Sequence, residues 1–127
     1  MVQTGVNLSA QQQDDTETRG RIMRFLCQHL DSFVKWDIVR FFHDNPHAVE
    51  TAGDIARALG REDEEVSEAL KALTASKILT MKTVSGTAVF GLHDDPAVRG
   101  LVHDFVIACD DRDFRAAAIQ QVIDGLR

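Results

Sequence analysis

The sequence predicts a mainly α fold that carries one small β-hairpin. Three observations predict it. First, Thr51–Leu79 holds two apolar runs at helical spacing, Ile55, Ala56 and Leu59, then Val66, Ala69, Leu70 and Leu73, with Gly60 between them. Second, Leu79–Val84 and Thr87–Leu92 are rich in β-branched and large apolar residues, and Ser85–Gly86 between them suits a tight hairpin turn. Third, apolar stripes repeating at three and four residues flank this middle third on both sides.

Length and composition bound the rest. The 127 residues allow one domain with a modest core. Apolar residues make up 44%, charged residues 27%, and there are two prolines, as in an ordinary soluble globular chain. No apolar run approaches the roughly 20 residues that span a bilayer. The start, MVQTGVNLSAQQQ, has neither a basic opening nor an apolar centre, so no secretory signal is expected. Two cysteines far apart, Cys27 and Cys109, suit a reducing cytoplasm rather than a disulfide framework. The net charge of −6 opposes duplex DNA unless positive charge is gathered on one face.

Residues 1 to about 15 are Gln-rich, polar and unpatterned, and read as a disordered lead-in. From about Thr16 a helix begins, with Ile22, Phe25, Leu26, His29, Leu30 and Phe33 on one stripe. Ser32 is placed to cap a second helix, Phe33 to His43. Its Val34, Trp36, Ile38, Val39, Phe41 and Phe42 leave almost no polar side, which requires burial on two faces. Asn45–Pro46 ends it, because proline cannot continue a helix and the residue before it avoids helical geometry. His47–Glu50 reads either as a short strand or as a loop.

The middle third follows. Thr51 is placed to cap its first helix, with Asp54 on the positive end of the helix dipole. Gly60 stops that helix, since glycine accepts the left-handed conformation of a helix end. The next helix opens on Arg61-Glu-Asp-Glu-Glu65. After the hairpin, Asp95 caps and Pro96 begins another helix. Val98, Leu101, Val102, Phe105, Val106 and Cys109 repeat along it; Asp110–Asp111 interrupts; Phe114, Ala118, Ile119, Val122, Ile123 and Leu126 resume. This tail is one broken helix or two in succession. The expected organisation is a single domain over residues 16–127, with a core over 33–92 and flanking helices over 16–31 and 96–126.

Helix, turn, helix, hairpin is the layout of a winged helix-turn-helix. The segments Thr51-Ala-Gly-Asp-Ile-Ala-Arg-Ala-Leu-Gly60, Val66-Ser-Glu-Ala-Leu-Lys-Ala-Leu73 and Lys77-Ile-Leu79, with the hairpin after them, resemble small bacterial regulators of the ArsR and MarR kind. The resemblance covers roughly Phe33 to Leu92. It implies a DNA-binding transcription regulator that pairs through its flanking helices and lays the second motif helix in the major groove of double-stranded DNA. The residues expected at such contacts are Ser67, Lys71, Lys77 and Lys82, with Arg57 and Arg61 on phosphates. Those expected at the homodimer interface are Ile22, Phe25, Leu26, Leu30, Leu101, Phe105, Ile119, Val122 and Ile123. Burying a large apolar side chain is worth about 1.5–3 kcal/mol, so the two stripes need cover. A second subunit supplies it, or the flanks cover each other within one chain; the reading favours the second subunit.

Charge supports a competing reading. Arg61–Lys77 holds three basic and five acidic residues, and the wing tip Ser85–Gly86–Thr87 has no arginine to enter a minor groove. The alternative is an acidic winged helix that docks a protein partner through Glu62–Glu68 or the flanking stripes. No metal site and no cofactor are expected. Cys27 and His29 point to different faces of a helix. His93–Asp94 and His103–Asp104 are adjacent pairs without a further donor at i+4, and the cysteine pair of ArsR-like metal sensors is absent. Cys109 falls on an apolar stripe and reads as a core thiol. No nucleophile elbow, phosphate loop or His-Glu-x-x-His is present, so no enzyme is expected.

Overall fold

A computed structural model of the chain describes the backbone of residues 2–126 and the side chains of residues 16–126. Along the described residues the order is α1 (Val2–His29), α2 (Phe33–Asp44), β1 (Val49–Thr51), α3 (Ala52–Leu59), α4 (Asp63–Ala75), β2 (Leu79–Val84), β3 (Thr87–Leu92), α5 (Pro96–Ala108) and α6 (Arg112–Gly125). The fold is a winged helix-turn-helix, mainly helical, with helices before and after it. One expectation changes at the start: α1 begins at Val2, not near Thr16, so the polar stretch expected as a lead-in lies in its first half. A helix without an apolar stripe leaves no periodicity to detect.

The caps anticipated at Ser32, Thr51 and Asp95 all form. Ser32 Oγ accepts the Lys35 N–H at 3.3 Å, Thr51 Oγ1 accepts the Asp54 N–H at 3.2 Å, and an Asp95 oxygen accepts the Ala97 N–H at 2.9 Å. His47–Glu50 resolves into a loop and a short strand. β1 pairs antiparallel with β3, Val49 opposite Gly91 and Thr51 opposite Val89, giving sheet order β1-β3-β2. In the hairpin Leu79 faces Leu92 and Val84 faces Thr87. Both turn residues are left-handed, Ser85 at φ 52° and Gly86 at φ 81°, the pairing a two-residue type I′ turn requires.

α3 and α4 end in the same way. At Gly60, φ 67°, the Arg61 N–H reaches Ala56 O at 3.0 Å and the Gly60 N–H reaches Arg57 O at 3.2 Å. At Lys77, φ 65°, the Ile78 N–H reaches Leu73 O and the Lys77 N–H reaches Thr74 O, both at 3.0 Å. These are paired Schellman closures, one with glycine at the left-handed position and one with lysine. A Cβ at Gly60 would meet nothing within 4 Å, so the cost of Gly60→Ala is conformational alone. It should destabilise the chain by about 1 kcal/mol, read as a lower urea midpoint with an unchanged slope.

α2 lies at the centre. Val34, Trp36, Ile38, Val39 and Phe42 are buried, and the helix packs on α4 on one side and α5 on the other. α1 packs on α5 and α6. Within the single chain the flanking stripes cover each other. Of the residues expected at a homodimer interface, Ile22, Phe25, Leu26, Leu30, Phe105 and Val122 are buried in the core of the single chain. Leu101 is half-buried. Ile119 and Ile123 remain exposed, at 36% and 38%. Cys109 is buried as expected, and burial pushes its thiol up to about 11.

The tail is two helices. An Asp111 carboxylate oxygen accepts the Asp113 N–H at 3.1 Å and so starts α6. That hydrogen bond, aided by the Arg19 guanidinium, holds the Asp111 carboxyl below the usual carboxylate range.

Candidate nucleic-acid interface

Burial decides what α4 presents. Val66, Ala69, Leu70 and Leu73 turn into the core, which leaves Ser67, Lys71 and Thr74 on the side toward the hairpin. Strand alternation decides what the hairpin presents in return. Met81 and Phe90 sit opposite each other on the ladder, as do Thr83 and Ala88, on the side shared with α4. A cleft of about 650 Å³ lies between the two, with Ser67, Lys71 and Thr74 on one wall, Met81, Ala88 and Phe90 on the other, and the start of α3 at Thr51–Gly53 at its end.

The expected contact residues do not share one face. Lys71 is exposed beside this cleft, 3.7 Å from Glu68 Oε1 across an exposed pair. Lys82, one residue on from Met81, points to the opposite face of the sheet, where it lines a smaller cleft of about 220 Å³ with Val49, Gly91 and Arg99. Lys77 is exposed in the left-handed turn beyond the far end of α4. Arg57 is exposed and ion-paired with Asp54 on the preceding turn of α3.

Arg61 is held inward. Its Nε and Nη2 lie 2.9 and 2.8 Å from Asp37 Oδ2 on α2, and its Nη1 lies 3.3 Å from Glu65 Oε1. The guanidinium straps the motif's turn to the central helix. Asp63, Glu64 and Glu65 form the exposed first turn of α4, where carboxylates offset the helix dipole by about 0.3–1 kcal/mol each. Glu62 precedes them without a side-chain cap bond.

The sequence reading named Ser67 and Lys71 but missed the rest of the cleft. Met81 and Phe90 were visible only as alternating strand residues, and their facing α4 depends on the cross-strand register. Arg99 was also missed. It donates to His93 O at 2.9 Å and Leu92 O at 3.4 Å and pairs with Asp94, which fixes the hairpin's exit into α5. Among the described residues no cluster of three or more His, Cys, Asp and Glu donors gathers, and no helix is long and apolar enough to cross a membrane.

No protein-family model and no curated sequence matches the chain. Solved structures do match it in fold. MepR, a transcription regulator of the Staphylococcus aureus multidrug efflux pump MepA, superposes with a TM-score of 0.58 at 20% identity, over 87% of this chain and 79% of that one. The S. aureus MepR–DNA complex gives 0.56 at 17% identity, over 95% and 99%. A transcriptional regulator from Thermotoga maritima gives 0.51 at 13% identity, over 97% and 82%. The likeness is one of fold.

Proposed function

We propose that the chain is a DNA-binding transcription regulator of the winged-helix kind, working in the cytoplasm as a homodimer. The observation that carries this reading is the outward face of α4. It offers Ser67 and Lys71 beside a wing, in a fold shared with regulators that include a DNA-bound structure. In this reading α4 enters the major groove and the wing touches backbone. Lys71 and Ser67 are the leading contacts, Lys77 and Lys82 add phosphate contacts, and Arg57 lies at the edge. Arg61, tied to Asp37 and Glu65, acts by holding the motif's turn. Residues 16–127 act as one unit, with the 33–92 core reading DNA and the flanks carrying the pairing surface. That surface is the exposed apolar side of α6, Ile119, Ile123 and Leu126, with half-buried Leu101.

The test is fluorescence anisotropy on the chain's own upstream DNA, beginning near 50 mM salt. Three lysines from each of two subunits make six phosphate contacts, so log K should fall against log salt with a slope of roughly −5. Sedimentation should give twice the chain mass at the same concentration. Absence of binding at the lowest salt overturns the DNA reading.

A specific observation favours a second reading. Asp63, Glu64 and Glu65 are exposed at the end of α4 that would meet phosphates. In that case the acidic turn docks a basic surface on a protein partner, and DNA is ignored at every salt concentration.

A further inference from the structure

His43, in the last turn of α2, and His103, midway along α5, meet nitrogen to nitrogen. His43 Nε2 lies 3.1 Å from His103 Nδ1. The ring planes are 25° from parallel and the centroids 5.3 Å apart, so the rings meet edge to edge. Asp44 Oδ1 lies 3.1 Å from the other nitrogen of His43, Nδ1. An ionised carboxylate only accepts hydrogen bonds, so His43 Nδ1 carries the proton and Nε2 presents its lone pair toward His103. In this arrangement the contact is a hydrogen bond donated by His103 Nδ1–H. Nothing in the DNA reading uses either ring.

We propose that His43 and His103 form a two-imidazole chelate for a divalent transition metal of the zinc, copper or nickel class, with water completing the coordination. The spacing fits. A cation about 2.0–2.1 Å from each nitrogen would see them roughly 100° apart, between square-planar and tetrahedral angles. Both rings tilt off the line joining the two nitrogens to aim their lone pairs at that point, and His103, exposed at the surface, has room to turn. His103 then gives up the proton on Nδ1 and takes one on Nε2 from water, so its ring stays neutral. Asp44 holds His43 in the ligating tautomer, the role a carboxylate takes behind a metal-bound imidazole. Asp104 follows His103 in sequence, with Arg21 3.9 Å from its carboxylate. Imidazole nitrogens select against magnesium and calcium, which demand oxygen donors. A bound ion would tie α2 in the winged core to α5 in the flank.

The test is titration of the full chain with copper(II), followed by electron paramagnetic resonance, and with zinc by calorimetry. One equivalent of copper should show two nitrogen donors. H103Q should leave one nitrogen and weaken zinc binding at least tenfold, and H43Q should do the same. H47Q and H93Q, on histidines outside the pair, should change neither reading. Lowering the pH should weaken binding, since protons compete for both nitrogens. If half-buried H43Q fails to fold, H103Q carries the test together with the wild-type NMR spectrum. There, zinc should shift the His43 and His103 imidazole signals before those of His29, His47 and His93. Equal copper spectra for wild type and H103Q, or no two-nitrogen species in the wild type, overturn the proposal. DNA affinity is not a readout here, so this result and that of the DNA test are independent.

Discussion

Phe105→Ala should lower the free energy of unfolding by about 3–5 kcal/mol, a loss at the upper end of what one core truncation causes. Phe105 is 0% exposed. Its ring meets Trp36 of α2 edge-on at 5.1 Å and Phe25 of α1 at 6.3 Å, so it joins the winged core to both flanks. Each aromatic pair adds about 0.5–1.5 kcal/mol beyond the area buried. A small domain has about 5–15 kcal/mol in all, so the variant should sit close to unfolding at room temperature. Urea unfolding followed at Trp36 measures this directly. Ile107→Ala, two residues on and 51% exposed, is the control and should change stability by no more than about 0.5 kcal/mol. A loss under 1 kcal/mol at Phe105 would mean that α5 does not close on α2 as described. A loss that depends on protein concentration would mean that the cover comes from a second chain.

That experiment bears on the point where sequence and structure part. What the sequence made legible is local. Ser32, Thr51 and Asp95 cap helices through oxygens that reach only two or three residues ahead. Gly60 and the Ser85–Gly86 turn follow from backbone sterics, and the hairpin's bounds follow from alternation around that turn. A stripe such as Ile22–Leu30 says that a face is buried, but its periodicity is identical whether the cover is another chain or α5 and α6 of the same one. Periodicity alone therefore does not choose between a second subunit and the chain's own helices. Arg61 shows the same limit in charge. Beside a turn of the motif it reads as a phosphate ligand, yet Asp37, 24 residues earlier, claims it. The opposed faces of Lys71 and Lys82 follow from strand parity, but only once the register puts Met81 beside α4. The His43–His103 contact spans 60 residues and leaves no local trace.

Lys71→Glu should weaken DNA binding by about 100-fold if α4 is the groove helix. The substitution acts once in each subunit, removing two phosphate contacts and adding two repulsive charges; two contacts reduce the salt slope by about 2. Folding should be untouched, because the Lys71–Glu68 pair is 72% exposed on both sides and such pairs contribute about 0–1 kcal/mol. Two companions give the result its direction. Arg61→Ala should weaken binding less than Lys71→Glu, through the turn it holds rather than a lost phosphate contact, since its guanidinium is engaged by Asp37 and Glu65. Lys82→Glu lies across the sheet and should weaken binding less than Lys71→Glu, through the wing's contact with backbone. The reversed order, with Lys82→Glu severe and Lys71→Glu mild, would put the opposite face of the wing against DNA and remove α4 from the groove. Four carboxylates at the start of α4 make that outcome physically reasonable, so the comparison of Lys71 with Lys82 separates the two faces where a single variant would not.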